Sequence, residues 1–400
     1  MAEGMLRSVE LFTGAGGLAL GSAIAGFHHE AVIEMNRYAC ETILENQLAG
    51  HPLVADWRLH PIRVERFDYS SVPEGVDLVA GGPPCQPFSI GGKHQAHQDR
   101  RDMFPQAVRA VRELRPRAFV FENVKGLTRQ SFKNYFEYIK LQLSYPEIAR
   151  REREAWESHL TRLERYHTGG RHDGLWYRVV ARLCNAANYG VPQRRERVFI
   201  VGFRCDQPQE WSFPEPTHSE RSLLVSKREG GEYWERHGIS KMNRLAPASP
   251  FMADFLVDTV ETGRKPWVTV RDALSDLPDP RTPKARMVSN HVFQSGARTY
   301  PGHTGSPLDE PAKTLKAGDH GVPGGENMIR YPDGKVRYFT VREAARLQTF
   351  PDDYLFHGCW TEAMRQLGNA VPVKLASVIV GSVRDRVTEQ HGRRHDARVF

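Results

Sequence analysis

Val9-Glu10-Leu11-Phe12-Thr13-Gly14-Ala15-Gly16-Gly17-Leu18 is the stretch on which the fold turns. An apolar run from Val9 to Phe12 reads as a strand, passes into a glycine turn, and continues as small residues that predict a helix through Ala25. Glycines directly after a first strand let the backbone turn tightly and approach a ligand with no Cβ in the way. Their spacing departs from the dinucleotide fingerprint GxGxxG. Ala31 to Ile33 predicts a second strand, and Glu34 ends it where such units set an acid against ribose hydroxyls. Alone, the loop reads equally well as a plain tight turn. With Glu34 it favours an adenosine-containing cofactor.

Working outward, Val76 to Ala80 predicts a strand that stops at Gly81-Gly82-Pro83-Pro84, and Ala118 to Phe121 another that ends at Glu122. Between them Ala107, Val108, Val111 and Leu114 mark one face of a helix. Strands alternating with helices predict an α/β fold, with a mostly parallel sheet covered on both sides. Glu34, Cys85 and Glu122 each follow a predicted strand end, the edge where open α/β sheets bind ligands. Strands return at Tyr177–Leu183 and Val198–Phe203. The charged segment from Ser144 to His172 spaces Trp156, Leu160 and Leu163 as an amphipathic surface helix. After Cys205 the chain turns rich in Gly, Pro, His and basic residues with weak periodicity. Helical patterning resumes at Thr340–Gln348 and Pro372–Arg386. The expected division is a first domain over 1–204, a smaller loop-rich domain over 205–335, and a segment over 336–400 that returns to the first.

At 400 residues the chain exceeds the usual size of one compact domain, which agrees with that division. Its 40% hydrophobic and 26% charged residues are those of a soluble globular protein, and no stretch reads as apolar enough to span a bilayer. Met1 to Glu10 lacks the pattern of a secretory signal, so a cytoplasmic location is expected. Lys and Arg total 55 against 48 Asp and Glu, a net +7 that suits a polyanionic partner without requiring one. The cysteines at 40, 85, 184, 205 and 359 form no close pairs, which argues against a disulfide framework and a structural zinc site. No metal is expected.

Three constellations carry chemistry. In Gly82-Pro83-Pro84-Cys85-Gln86-Pro87-Phe88-Ser89 the prolines stiffen the backbone ahead of the cysteine. A nucleophile gains from such rigidity, because a misplaced attacking atom loses rate steeply; an inert cysteine in a proline-rich turn is the alternative. Glu122-Asn123-Val124 follows a buried strand, where a partly desolvated carboxyl group can hold and donate a proton. Taken alone, a helix-capping carboxylate is the plainer reading. In Gln193-Arg194-Arg195-Glu196-Arg197, strand alternation predicts Arg195 and Arg197 on one face, suited to a phosphate or a polarised carbonyl oxygen. A solvated strand start would look the same.

Taken in order, these motifs resemble the DNA cytosine-5 methyltransferase family: Phe12-x-Gly-x-Gly-Gly, Glu34, Pro84-Cys85-Gln86, Glu122-Asn123-Val124, Gln193-x-Arg-x-Arg, Arg342-Glu343 with Arg346-Leu347-Gln348, and Gly368-Asn369-Ala370-Val371. The resemblance runs from Phe12 to about Val373. It implies a Rossmann-like domain that uses S-adenosyl-L-methionine, joined to a target-recognition domain over 205–335. By that likeness Cys85 is the nucleophile toward C6 of a flipped cytosine. Glu122 binds N3 and the exocyclic amine, Arg197 meets O2, and Arg195 positions the loop or backbone beside it. The cofactor would lie against Phe12, Gly14, Gly16 and Gly17, with Glu34 on the ribose, Asp56 on the adenine amino group and Asn369 at the methionine end. Where many members carry an aromatic after Glu34 this chain has Met35, so adenine packing is expected to rest on Met35 and Trp57. Gln86, Ser89, Lys313, Thr314, Leu315 and Lys316 are the expected DNA contacts, with Thr314-Leu315 resembling a short signature of that domain.

The implied partners are double-stranded DNA, bound by a monomer, and a companion restriction endonuclease for the same site; a membrane is not among them. A nicotinamide-dependent dehydrogenase would account for the glycine loop and Glu34 but not for Cys85, Glu122 or the arginines. A catalytically inactive DNA-binding relative would be expected to lack the cysteine or the glutamate. A transfer-RNA-methylating relative would be expected to carry a Cys-Phe-Thr signature, which is absent.

Overall fold

A computed structural model of the chain describes residues 5–84, 102–170, 172–207, 210–228, 231–244, 263–318 and 326–396. They fall into two compact units: one of Met1–Cys184, Glu196–Pro214 and Ala376–Phe400, the other of Asn185–Arg195 and Glu215–Leu375.

The first unit is built on a seven-stranded sheet. Its strands are β1 (Leu6–Leu11), β2 (Phe27–Ile33), β3 (Leu59–His60), β4 (Leu78–Gly81), β5 (Ala118–Val124), β6 (Tyr177–Asn185) and β7 (Glu196–Arg204), in the order β3-β2-β1-β4-β5-β7-β6. β3, β2, β1, β4 and β5 pair parallel, while β7 runs antiparallel to β5. This is the α/β architecture expected from the sequence. Helices α1 (Gly17–Ile24), α2 (Arg37–Leu48), α3 (Phe104–Leu114), α4 (Lys133–Ser144) and α5 (Trp156–Thr168) complete it, together with the C-terminal helix Val373–Asp396 from Ala376 onward.

Alternation along β1 assigns its two faces. Val9 and Leu11 join Val79, Phe119, Phe121 and Ile200 in one core with Phe104, Ala107 and Val111 of α3. Burying side chains of this size contributes roughly 1.5–3 kcal/mol each. Ser8 and Glu10 take the opposite face, where His29 of β2 reaches the Ala19 carbonyl in α1. There a Cβ on Gly21 would sit 2.3 Å from Ala376 Cβ, so α1 lies hard against the C-terminal helix. The charged segment forms α5 as its spacing predicts. Leu163 is buried in the first core, with Trp156 and Leu160 packed against it.

The second unit holds short strands and helices around Leu223, Tyr233, Trp234 and Trp267. Its limits differ from the 205–335 expectation, because the helices Val341–Leu347 and Trp360–Asn369 belong to it. Buried Arg342 donates to the carbonyls of Ser289, Pro351 and Tyr354, and Arg346 pairs with Asp276, so the first of these helices is tied to chain on both sides of it in the same unit. Within Trp360–Glu389 an 18-residue window reaches a mean hydropathy of 1.2, an apolar run that the sequence reading did not single out. Of that window 61% is buried, and Ala370-Val371-Pro372 separates the two helices of the span, so core packing accounts for the apolar side chains.

Candidate active site

The strand order reverses at β1, which has β2 on one side and β4 on the other. Such a switch point opens a crevice beyond the carboxyl ends of the strands. Leu11 and Gly81, the last residues of β1 and β4, are partners in register, so the glycine loop and the Pro83-Pro84 segment emerge side by side. A Cβ at Gly81 would meet the Leu11 carbonyl oxygen at 2.5 Å. Only glycine permits that approach.

On the β2 side the loop is held by Glu34. Its Oε2 accepts the Gly14 N–H at 2.7 Å, and Oε1 accepts those of Met35 at 2.8 Å and Asn36 at 2.6 Å. Asn36 in turn caps α2 by accepting from Ala39 N–H. Phe12 has φ +54 and Gly14 φ +58, left-handed conformations, and a non-glycine residue held there marks a backbone over-determined by its surroundings. Nothing lies within 4 Å of where a Gly14 Cβ would stand. Glu34 thus shapes the loop, which sequence spacing does not reveal.

On the β5 side, Glu122 lies within the strand rather than after it, because β5 continues to Val124 by pairing with β7. Glu122 opposes Phe199 and Val124 opposes Arg197, so Glu122 and Arg197 are diagonal neighbours on one face. Arg197 Nε lies 2.7 Å from Glu122 Oε1, with side-chain exposures of 12% and 9%. Burial pushes the Arg197 guanidinium below its ordinary value, and the Glu122 charge opposes that shift. A Cβ on Gly82 would stand 3.4 Å from Glu122 Oε2, and Asn123 Nδ2 donates to the Pro83 carbonyl at 3.0 Å. The segment running into Cys85 is therefore fastened beside Glu122. Cys85, Gln86 and Ser89 lie outside the described residues.

From Glu34 to Glu122 the edge crosses three strand spacings, about 14 Å at ~4.8 Å each. That is room for a cofactor on the β1–β2 side and a planar ring on the β4–β5 side.

The other expected residues meet different surroundings. Arg195 does not share a face with Arg197: it precedes β7, is fully buried, and donates to the Leu315 carbonyl at 3.1 Å and the Gly368 carbonyl at 2.7 Å. Trp57 is 5% exposed and packs edge-on against His29, so it belongs to the core, whereas Met35 is 61% exposed. Asp56 is exposed and pairs with His28 at 3.0 Å. Leu315 is buried, while Lys316 and Asn369 are exposed. Lys313 reaches Glu326 at 3.2 Å, and Thr314 Oγ1 donates to the Arg194 carbonyl. The sequence reading missed buried Gln193 as a holder of backbone: its Oε1 accepts the Leu315 N–H and its Nε2 donates to the Leu347 carbonyl.

The chain matches the family model described as C-5 cytosine-specific DNA methylase over residues 6–145 and 171–385. Type II methyltransferase M.PspPI of Psychrobacter sp. is 31% identical over 374 residues, covering 93% of this chain and 77% of that protein. Type II methyltransferase M.NgoMIV of Neisseria gonorrhoeae is 30% identical over 372 residues, covering 93% of this chain and 95% of that one. Among solved structures, the S. pombe Dnmt2 methyltransferase has a TM-score of 0.55 at 17% identity, over 95% of this chain and 98% of that one, a likeness of fold.

Proposed function

This chain belongs to the C-5 cytosine-specific DNA methylase family and is a DNA cytosine-5-methyltransferase, and from that premise we propose that Cys85 is its nucleophile, with Glu122 and Arg197 binding the pyrimidine. The observation that carries this assignment is the buried Arg197–Glu122 pair beside the Gly82–Pro84 segment that leads into Cys85.

Cytosine C5 is a weak nucleophile. Addition of the Cys85 thiolate to C6 forms a C–S bond and moves an electron pair toward C5, making an enamine. Glu122 serves N3 and the exocyclic amine, while Arg197 turns to O2, so charge that builds on the ring during attack meets fixed polar groups. C5 would then take the methyl group as its bond to the donor sulfonium breaks and a neutral thioether leaves. C5 gives its proton to a base, and the bond to Cys85 breaks to return the thiolate and the aromatic ring. The target atom is out of reach inside a duplex, so the base is flipped into the site.

S-adenosyl-L-methionine supplies the methyl group as an electrophile on sulfur. The residues fit it: the space open at Gly14, the buried Glu34 carboxylate beside it and exposed Met35 make a seat for an adenosine. Phe12, Gly16 and Gly17 complete the loop. Trp57 backs it from the core, and Asp56 would have to leave His28 to reach an adenine amino group. Asn369 is assigned to the methionine end by the likeness alone. For the duplex, exposed Lys316 is the foremost phosphate contact, with Lys313 and Thr314 beside it, and buried Arg195 and Leu315 support them. The setting proposed is a cytoplasmic monomer on double-stranded DNA, protecting sites that a companion restriction endonuclease cuts, since the relatives carry type II methyltransferase names.

The test is transfer of labelled methyl groups from S-adenosyl-L-methionine to duplex DNA, with bisulfite sequencing of a host expressing the chain. The expected outcome is modification at C5 of one cytosine in a fixed sequence, lost in Cys85→Ser. Full transfer by that variant refutes the mechanism.

A further inference from the structure

We propose that Asn327 is a positioning residue for DNA binding, acting through Lys316 by fixing that lysine's peptide so that its ammonium is presented to a backbone phosphate. The inference rests on the reading of this chain as a DNA methyltransferase with Lys316 at the phosphates.

Asn327 is fully buried, yet both ends of its amide serve the main chain of a single residue. Its Oδ1 accepts the Lys316 N–H at 3.0 Å, and its Nδ2 donates to the Lys316 carbonyl at 2.9 Å. Its own carbonyl accepts the Phe339 N–H at 3.0 Å, which anchors it beside the paired strands Met328–Arg330 and Val336–Tyr338. The amide therefore does for Lys316 what a neighbouring strand would do.

The flanking residues are gripped as firmly. Leu315 gives its N–H to Gln193 at 3.0 Å and receives a bond from Arg195 at 3.1 Å, while Thr314 Oγ1 donates to the Arg194 carbonyl at 2.7 Å. On the other side a Cβ at Gly368 would fall 2.3 Å from Ala317 N and 2.4 Å from Lys316 C, so the peptide lies against bare backbone there. Arg195 also holds the Gly368 carbonyl, which makes peptide and glycine one block. Every main-chain polar atom of Lys316 is thus engaged by buried groups, and its exposed side chain is left to face solvent. A cation on a fixed stem pays its ordering cost during folding rather than on binding, which raises affinity without a new contact. Neither Asn327 nor Gly368 needs to touch DNA for this.

Affinity of the full chain for a duplex carrying its methylation site, read by fluorescence anisotropy over a salt series, tests the idea. Lys316→Ala should lower the slope of log affinity against log salt by about 0.9, the loss of one phosphate contact. Asn327→Ala should lose affinity several-fold and give up a comparable part of that slope. The double variant should bind no more weakly than Lys316→Ala alone, because a residue acting through Lys316 has nothing left to position. Additive losses, or an unchanged slope in Asn327→Ala, overturn the proposal. If Asn327→Ala fails to fold, Asn327→Ser keeps a hydroxyl for one of the two bonds. An intermediate slope then supports the proposal, and a parental slope overturns it. A parental slope in Lys316→Ala removes Lys316 from the phosphates and the positioning role with it. Failure of the parent chain to methylate DNA would instead strike the underlying functional reading.

Discussion

The guanidinium of Arg197 lies 2.7 Å from the carboxylate of Glu122, on neighbouring antiparallel strands and almost out of solvent. Arg197 Nη1 also donates to the Glu196 carbonyl at 2.8 Å. Removing one partner of such a pair leaves a buried charge uncompensated, at a cost of about 3–5 kcal/mol. On the proposed function, a pyrimidine that takes the carboxyl group at N3 and the guanidinium at O2 would replace the ion pair with two bonds.

Glu122→Gln should therefore slow methyl transfer by roughly 10²–10⁴-fold, the range for a lost proton-transfer group. Single-turnover kinetics at saturating cofactor would measure it. A rate within a factor of two of the parent takes Glu122 out of the chemistry.

Cys85→Ser should abolish transfer while S-adenosylhomocysteine still binds, as calorimetry would report. With 5-fluorocytosine DNA the parent should form an adduct that survives denaturing electrophoresis, since fluorine cannot leave as the C5 proton does. No adduct in the parent argues against covalent catalysis.

Glu34→Ala removes the acceptor for three backbone N–H groups at 2.6–2.8 Å. Cofactor affinity should drop at least about tenfold, and stability by about 1–3 kcal/mol as three part-buried donors lose their partner. Calorimetric titration and thermal melting separate the two effects; unchanged affinity dissociates Glu34 from the cofactor.

Stability should fall as the solution turns alkaline, because of Glu10. Burial raises its carboxyl from the usual 4.5 to about 8, opposed by a hydrogen bond with Ser22. Between those values the unfolded chain releases a proton that the folded chain keeps, so stability is full below 4.5 and declines until pH 8. His29 works oppositely: burial lowers it from 6.5 to about 4, so its contribution is present above 6.5 and is lost as pH falls to 4. The two trends offset one another between 4.5 and 6.5, and only the Glu10 loss acts from 6.5 to 8. Glu10→Gln should flatten that alkaline limb in melts between pH 6.5 and 8, and an equally steep decline in the variant would show that Glu10 is not its source.

Gly202→Ala should destabilise the first unit by about 1–3 kcal/mol. A Cβ there would stand 2.1 Å from the Phe119 ring across β5 and β7, where the core has no room to yield. A melting temperature equal to the parent's would mean that Phe119 repacks freely.

Much of this protein was legible along the chain. Hydrophobic runs of strand length alternating with helical spacing specify a parallel α/β sheet, because each strand must bury both faces. Glycines, prolines and acids at the ends of those runs mark the ligand edge, since strand ends converge there. Local order of residues determines such features, and Glu34 and Glu122 could be named from it. Only the tertiary structure decided which side chains meet. Arg195 and Arg197, two residues apart, have different partners, because β7 begins between them and Arg195 turns to the carbonyls of Leu315 and Gly368. Asn327 finds Lys316 and Glu10 finds His29 in the same manner. Such contacts join residues distant in sequence through hydrogen bonds and burial that carry no period along the chain, so spacing could not foretell them.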